Sequence, residues 1–325
     1  MHGPIALTGS TGFVGRHLIK ALEDAGYPLR LLVRQGPRDC GFGTAETIVG
    51  GLEDETALRR LVAGARAVIH LAGAIAAPDR ATFFAVNVQG TERLAAAARA
   101  AGVERFIHVS SLAAREPQLS DYAASKRQAE DMLLAQPPNG LLILRPPVVY
   151  GPGDRATLPL LGQLTRRIAV IPAAAAARFS LLYAGDLAKF LMAQLEEPTT
   201  GLREIDDGRA NGYGWTDLVK DAAETERREP RLVFLPRWLL QGLAWPVSLL
   251  GAALTLRVPL TPGKVRELYH RDWVARGPDA GLADAVQFDE GFRLTIAWYR
   301  EQGWLPANSR ADRRQSPTFH GESIK

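Results

Sequence analysis

Three glycines spaced three residues apart, Gly9, Gly12 and Gly15, join a short apolar run to a helical one. Ile5-Ala-Leu7 reads as a buried strand, and Phe13, Val14, Leu18, Ile19 and Leu22 recur at helical spacing behind the glycines. Each glycine has a separate task. The first permits the tight turn, the second lets backbone approach a phosphate, and the third lets the helix pack against the strand. The free N–H groups at the positive end of that helix then face a pyrophosphate. Thr8, Gly9, Ser10, Thr11, Gly12, Phe13, Val14 and Gly15 are therefore a candidate dinucleotide cradle, spaced G-x-x-G-x-x-G rather than G-x-G-x-x-G.

The rest of the first half repeats that strand–helix alternation. Strands are expected at Leu29–Val33, Thr47–Val49, Ala67–Leu71, Phe106–Val109 and Leu141–Leu144, and helices at Glu53–Leu61, Thr91–Ala101 and Tyr122–Leu134. Such alternation predicts an α/β fold with a doubly wound parallel sheet and helices on both faces. After Gly153 the pattern loosens. Ala173–Ala177 reads as a low-complexity connector, Phe179–Tyr183 as a strand, Asp186 as the cap of a helix starting at Leu187, and Gly201–Ile205 as a last strand. From Trp215 the chain reads as mostly helical. The expected organisation is a dinucleotide-binding domain over 1–170, to which 179–206 returns, a helical substrate lobe over 207–305 and a polar tail over 306–325.

The second strand ends in Val33-Arg34-Gln35 with no carboxylate to take a ribose 2′-hydroxyl. The planar fork of Arg34 suits a 2′-phosphate instead, so NADP(H) is favoured over NAD(H). Tyr122 and Lys126 lie one helical turn apart and share a face. A phenol with an ordinary pKa of about 10 is a poor acid or base at neutral pH. A neighbouring ammonium favours the phenolate, as does the positive ring of an oxidised nicotinamide. Ser110 and Ser111, at the end of the preceding strand, each offer a hydroxyl to a substrate carbonyl.

With these residues in hand, the chain resembles the short-chain dehydrogenase/reductase superfamily, in its extended or atypical branch of epimerase/dehydratase and 3β-hydroxysteroid dehydrogenase-like members. The resemblance runs to about Leu305 and rests on Thr8–Gly15, His70-Leu-Ala-Gly73, Asn87-Val-Gln-Gly-Thr91, Val109-Ser-Ser111, Tyr122 with Lys126, Arg145-Pro-Pro-Val-Val-Tyr-Gly-Pro-Gly153, Leu260–Arg266 and Asp289–Tyr299. It implies a catalytic set in which Ser111 positions the substrate oxygen, Tyr122 is the acid/base and Lys126 also holds the nicotinamide ribose. It implies further cofactor contacts at Leu52, Leu71, Ala72, Gly73, Asn87, Pro146 and Val148. Relatives often carry Gly-Asp-Leu where this chain has Gly50-Gly51-Leu52, which removes an adenine contact. The short Ser111–Tyr122 loop resembles a branch in which NADPH is a structural group.

The formal charge of +4 is modest, and much of it sits in the closing polar segment with Arg310, Arg313, Arg314 and Lys325. No basic stripe interleaves with aromatics, so nucleic acid is not an expected partner. The single cysteine, Cys40, excludes an internal disulfide and a cysteine-only metal cluster, and no metal site is expected. No signal peptide is read at the start, and the protein is expected in the cytoplasm, with contact to the inner face of a membrane left open. That contact would come from Trp238–Leu256, which carries no charge. Pro246, Gly242 and Gly251 argue against one straight span; an interfacial or lipid-facing lid is favoured over a buried core or dimer helix. The expected activity is NADPH-dependent reduction of a ketone, or the reverse oxidation of a secondary alcohol. The expected substrate is hydrophobic, such as a steroid, keto-sphingoid or oxidised ceramide. The rival readings are a nucleotide-sugar epimerase/dehydratase and a non-catalytic NADPH-binding assembly subunit.

Overall fold

The computed structural model describes residues 3–34, 43–244, 261–277 and 280–307. Six strands and their helices build the first half: β1 (Ile5–Thr8), α1 (Phe13–Asp24), β2 (Leu29–Val33), β3 (Glu46–Val49), α2 (Glu55–Val62), β4 (Ala67–His70), α3 (Arg80–Phe84), α4 (Gly90–Ala100), β5 (Arg105–Val109), α5 (Asp121–Ala135) and β6 (Leu141–Arg145). A π-helical turn over Ala85–Gln89 and a 3₁₀ turn over Leu112–Arg115 interrupt the helices. A seventh strand, β11 (Gly201–Glu204), arrives from later in the chain.

These seven strands form one sheet in the order β11-β6-β5-β4-β1-β2-β3, and every neighbouring pair is parallel. Strands β1, β4 and β6 are buried along their whole length. That is why they read as continuous apolar runs: helices cover both faces, so no side can afford alternation with polar residues. Leu18, Ile19 and Leu22 of α1 pack one face together with Leu187 and Leu191. Leu58 and Leu61 of α2, Leu94 of α4 and Leu133 of α5 pack the other. The chain steps outward from β1 to β3 and then returns to β4 on the opposite side of β1. The carboxyl ends of β1 and β4 therefore flank the crevice where a doubly wound sheet binds its ligand.

The second half is assembled from distant pieces. β7 (Val148–Tyr150) pairs with β10 (Leu181–Tyr183), β8 (Ile168–Ile171) with β12 (Arg231–Phe234), and β9 (Arg178–Phe179) with β13 (Asp272–Trp273). Helices α6 (Leu158–Leu164), α7 (Ala184–Glu196), α8 (Trp215–Glu226), α9 (described over 237–244), α10 (Pro262–Leu268) and α11 (Phe288–Glu301) complete it. Tyr150, Tyr213, Trp215, Phe288, Phe292 and Tyr299 form the centre of a second core.

Several expectations are corrected here. Phe179–Tyr183 is two strands, split at Ser180, whose hydroxyl donates to the Asp206 carboxylate at 2.5 Å and whose N–H bonds the Trp273 carbonyl. α7 begins at Ala184, so Asp186 lies inside its first turn instead of capping it. Its carboxylate accepts from the Val286 N–H at 2.7 Å and ties α7 to the segment before α11. Ala173 and Ala177 are buried members of the second core, whose small side chains let the surrounding aromatics close in. The half after Trp215 is mostly helical among the described residues, as expected, with β12 and β13 as its short strands.

Candidate active site

The glycine turn is shaped by what presses on it. Gly9 has φ of +78°, and a Cβ there would lie 2.7 Å from the Ala72 nitrogen. A Cβ on Gly15 would lie 2.2 Å from the Gly9 carbonyl oxygen. The β1 turn, the start of α1 and the Leu71-Ala72 exit of β4 are thus in backbone contact, which only glycines allow. Gly12 is the N-cap of α1, and no side chain caps that helix. Its first-turn N–H groups are free to serve an anion. Thr11 is exposed and Phe13 and Val14 are half-buried at the rim, while Ser10 turns inward to the Leu32 carbonyl at 3.4 Å. The cradle fits a dinucleotide pyrophosphate in both shape and polarity.

A directional hydrogen-bond chain lies beneath the turn. The Ala72 N–H donates to the Thr8 hydroxyl at 3.3 Å, and Thr8 Oγ1 lies 2.6 Å from His70 Nδ1. His70 Nε2 lies 2.9 Å from Thr91 Oγ1, whose proton goes to the Asn87 carbonyl at 2.7 Å. Because Thr91 spends its proton on that carbonyl, His70 must donate from Nε2 and accept at Nδ1. Burial, helped by the charge of Lys126, lowers the His70 pKa to about 3, so the ring stays neutral. His108 lies beside it, ring centroids 5.2 Å apart; burial first, then Lys126 and His70, hold it well below the ordinary range. Neither of its ring nitrogens has a hydrogen-bond partner among the described residues.

Asn87 sits in the π turn, a local widening of the helix common at functional sites. Its amide oxygen accepts from the Ala74 N–H at 2.7 Å, and its nitrogen donates to Ala74 O at 3.0 Å and to Ser125 Oγ at 2.9 Å. It braces the Gly73-Ala74 loop against α5. A Cβ on Gly73 would lie 3.2 Å from Asn87 Oδ1 and 3.9 Å from Lys126 Nζ, so the loop, Asn87 and Lys126 converge at one point.

The two serines after β5 separate in the fold. Ser110 turns into the core and bonds Glu130, which also holds Arg145. Ser111 remains half-buried, accepts from the Ala113 N–H at 3.2 Å and is near enough to the Tyr122 phenol to lower its pKa. The short loop is what brings Ser111 and Tyr122 close together. Lys126 donates to the Val109 carbonyl at 2.9 Å. Burial lowers its pKa to about 8, against the pull of Glu130, so it remains an ammonium at neutral pH. The Tyr122 ring is half-buried, and desolvation around its hydroxyl pushes its pKa up to about 12. The expected lowering by Lys126 is not found: burial first, then Glu267, raises the phenol, and the opposing influence comes from Ser111. The phenol holds its proton, which is the state a proton donor needs.

Other sequence candidates take less direct positions. Arg34 is exposed at the end of β2. The Leu52 side chain lies in the core against Gly90, and the Glu53 carboxylate covers Gly51, 2.2 Å from where a Cβ would stand. A carboxylate therefore occupies the place that Gly51 leaves empty of one. Leu71 packs in the core, the buried Pro146 gives its carbonyl to the Leu112 N–H at 2.9 Å, and Val148 is 45% exposed. No cluster of metal-ligating residues occurs among the described residues. Sequence reading missed the buried set around Glu130. Arg145 bonds both Glu130 and Glu204, and Arg115 bonds Glu204 at 3.3 Å and the Asp272 and Val274 carbonyls. The one available signal was Glu130 itself, four residues beyond Lys126 on the same helix. Glu267 had none, since only the fold brings it to α5.

Comparison with known proteins gives a consistent picture. The description of the NAD dependent epimerase/dehydratase family matches residues 5–206. The chain is 43% identical over 319 residues to a ceramide reductase of Caulobacter vibrioides, covering 94% of this chain and 97% of that one. It is 35% identical over 176 residues to a 4-hydroxy-2-methyl-3-oxo-4-farnesyl-3,4-dihydroquinoline-1-oxide ketoreductase of Stigmatella aurantiaca, covering 48% of this chain and 53% of that one. Among solved structures it shares its fold with the NAD-dependent NDP-hexosamine 5,6-dehydratase TunA, at 22% identity and a TM-score of 0.70, over 92% of this chain and 98% of that one.

Proposed function

The chain belongs to the NAD dependent epimerase/dehydratase family, and on that premise we propose that it reduces a ketone on a long-chain, ceramide-like lipid with NADPH. The class is that of a nicotinamide-dinucleotide-dependent oxidoreductase acting on CH–OH/C=O groups. The observation that carries the proposal is the gathering of Ser111, Tyr122 and Lys126 beside Gly73 and Asn87, in a chain nearly half identical along its length to a ceramide reductase. A nicotinamide, when bound, would supply the hydride. Ser111 holds the ketone oxygen and Tyr122 delivers a proton to it. The Lys126 ammonium stabilises the phenolate left behind and its charge holds the cofactor ribose, while Asn87 braces the Gly73-Ala74 loop beside it. Arg34 takes the 2′-phosphate, and the α1 N-terminus takes the pyrophosphate.

Apolar surface supports the lipid clause. Ile75, just past Gly73, is 74% exposed and Val148 45%. A cleft of about 550 Å³ is lined by Ala173, Ala176, Phe234, Leu235 and Tyr269 together with Arg237 and Arg271. Leu240 and Ala244 of α9 pack inward with Val265, while Trp238, Leu239 and Leu243 stay exposed. The rest of Trp238–Leu256 lies outside the described residues. No helix among the described residues is long and apolar enough to cross a membrane. We read α9 as a peripheral membrane contact through which a lipid reaches the cleft.

The test is turnover of NADPH with an oxidised ceramide by the purified protein. Tyr122→Phe keeps the ring and removes the transferable proton. Turnover is expected to fall by roughly 10²–10⁴-fold with NADPH still bound. Full activity of Tyr122→Phe would point to a structural dinucleotide. Tight binding of a UDP-sugar with no ketone reduction would point to an epimerase.

A further inference from the structure

The loop that carries Ser111 and Tyr122 is gripped by the second half of the molecule at both ends. At one end Arg115 donates to the carbonyls of Asp272 and Val274, at 2.7 and 2.8 Å. At the other, the Arg266 guanidinium donates to the Leu119 carbonyl at 2.7 Å, and Gly263 packs so closely on Ser120 that a Cβ would lie 2.9 Å from the serine Cβ. Between these contacts stands Glu267, only 7% exposed. One carboxylate oxygen accepts from the Ser120 hydroxyl and the other pairs with Lys264 at 3.0 Å. Ser120 is the N-cap of α5: its hydroxyl oxygen accepts from the Ala123 N–H at 3.0 Å. The carboxylate thus fixes the hydroxyl that fixes the first turn of the helix, and Tyr122 stands in that turn.

We infer that Glu267 is a positioning residue for proton transfer: through Ser120 it orients the first turn of α5, and its buried carboxylate places a negative charge at that turn. The inference rests on the reading of Tyr122 as proton donor. The charged groups around the phenol leave this role to Glu267. On α5, Asp121 is paired with Arg80 of α3 at 2.7 Å, and the Lys126 ammonium is held at the Val109 carbonyl. Arg115, on the 3₁₀ turn, is bound to Glu204 and to carbonyls. The π turn contributes the neutral Asn87. On α10, Lys264 is half exposed to water and meets the far oxygen of Glu267. Burial raises the phenol pKa most, and among these groups Glu267 is the carboxylate whose charge adds to that rise.

The variant that separates charge from bracing is Glu267→Gln, because its amide oxygen still accepts from Ser120. Tyr122 ionisation is followed directly by NMR of ring-labelled tyrosine, assigned with Tyr122→Phe, so the measurement does not depend on the substrate. In Glu267→Gln the resonance is expected to titrate at lower pH than in the wild type, and the alkaline limb of kcat/KM for ketone reduction to move the same way. Glu267→Ala is expected to lose several-fold in kcat as well, with NADPH affinity unchanged. Superimposable titrations and rate profiles for Glu267→Gln and wild type would overturn the inference. So would a loss of activity in both variants matched by an equal loss of folded protein.

Discussion

The two halves of this molecule solve the same packing problem in opposite ways. The nucleotide-binding half buries one parallel sheet between helices that follow it in sequence, so each strand, turn and helix is a local unit. The other half has no such sheet. Its two-stranded pieces join segments far apart in the chain, Ile168 to Arg231 territory and Arg178 to Asp272 territory, around an aromatic core. The first arrangement fixes backbone N–H groups and glycine turns rigidly, which suits a common cofactor. The second leaves clefts between loosely related segments, which suits a variable substrate. The proposed chemistry sits where they meet: Ser111 and Tyr122 belong to the first half, and the loop between them is held by Asp272 of β13 and Glu267 of α10.

If that division is real, cofactor choice should be separable from substrate choice. Arg34→Ala removes a charge-assisted contact proposed to hold the 2′-phosphate, worth about 1.5–3 kcal/mol, or roughly ten- to a hundredfold in affinity. Calorimetric titration should show NADPH weakened by that factor and NADH unchanged, with KM for the lipid unaffected. Equal affinity of the unmodified protein for the two cofactors would remove Arg34 from the argument. A large rise in lipid KM would break the division itself.

The next effect concerns stability. His70 is buried neutral, with a pKa of about 3 against 6.5 for the free side chain. Its folded pKa is depressed, so between these values the unfolded chain binds a proton that the native state refuses. Stability is therefore full above about pH 6.5 and falls as pH drops toward 3. At about pH 5 the loss from His70 alone is about 2 kcal/mol relative to neutral pH. His108 adds a loss of the same sign. Denaturant unfolding at the two pH values measures this. In His70→Gln a smaller acid loss is expected, and hydrogen exchange should place the first acid-sensitive amides in β4 and β5.

The same contrast explains what could be read from sequence. β1, the glycine turn and α1 were legible because an apolar run, three glycines and a helical repeat are all local signals. Tyr122 with Lys126 was legible because one helical turn separates them. The pairing of β8 with β12 and of β9 with β13 was not, because strands of two to four residues carry no period and their partners are set by the core. Asp186 looked like a cap because an acidic residue opening an apolar helix usually is one. Its partner Val286 lies 100 residues further along the chain. The proton-holding state of Tyr122 was misjudged for a related reason: the lysine is visible in sequence, whereas desolvation and Glu267 are products of the fold.

The smallest effect tests the second half most directly. Trp238 is 72% and Leu243 52% exposed on α9, whose inner face is already satisfied by Leu240 and Ala244 against Val265. Exposed apolar side chains on a helix that is packed on its other side gain by entering a bilayer interface, each by a fraction of the ~1.5–3 kcal/mol that full burial gives. Replacing Trp238 and Leu243 together with serine leaves the inner face, the cofactor cradle and Tyr122 untouched. Flotation with anionic vesicles should show less bound protein. With long-chain ketone presented in vesicles, KM is expected to rise about two- to fivefold, since only the interfacial share of the binding energy is lost. With a short soluble ketone, and for NADPH affinity, no change is expected. A loss on both substrates alike would mean that α9 supports the fold and not lipid access, and the division between a cofactor half and a substrate half would then lose its membrane-facing part.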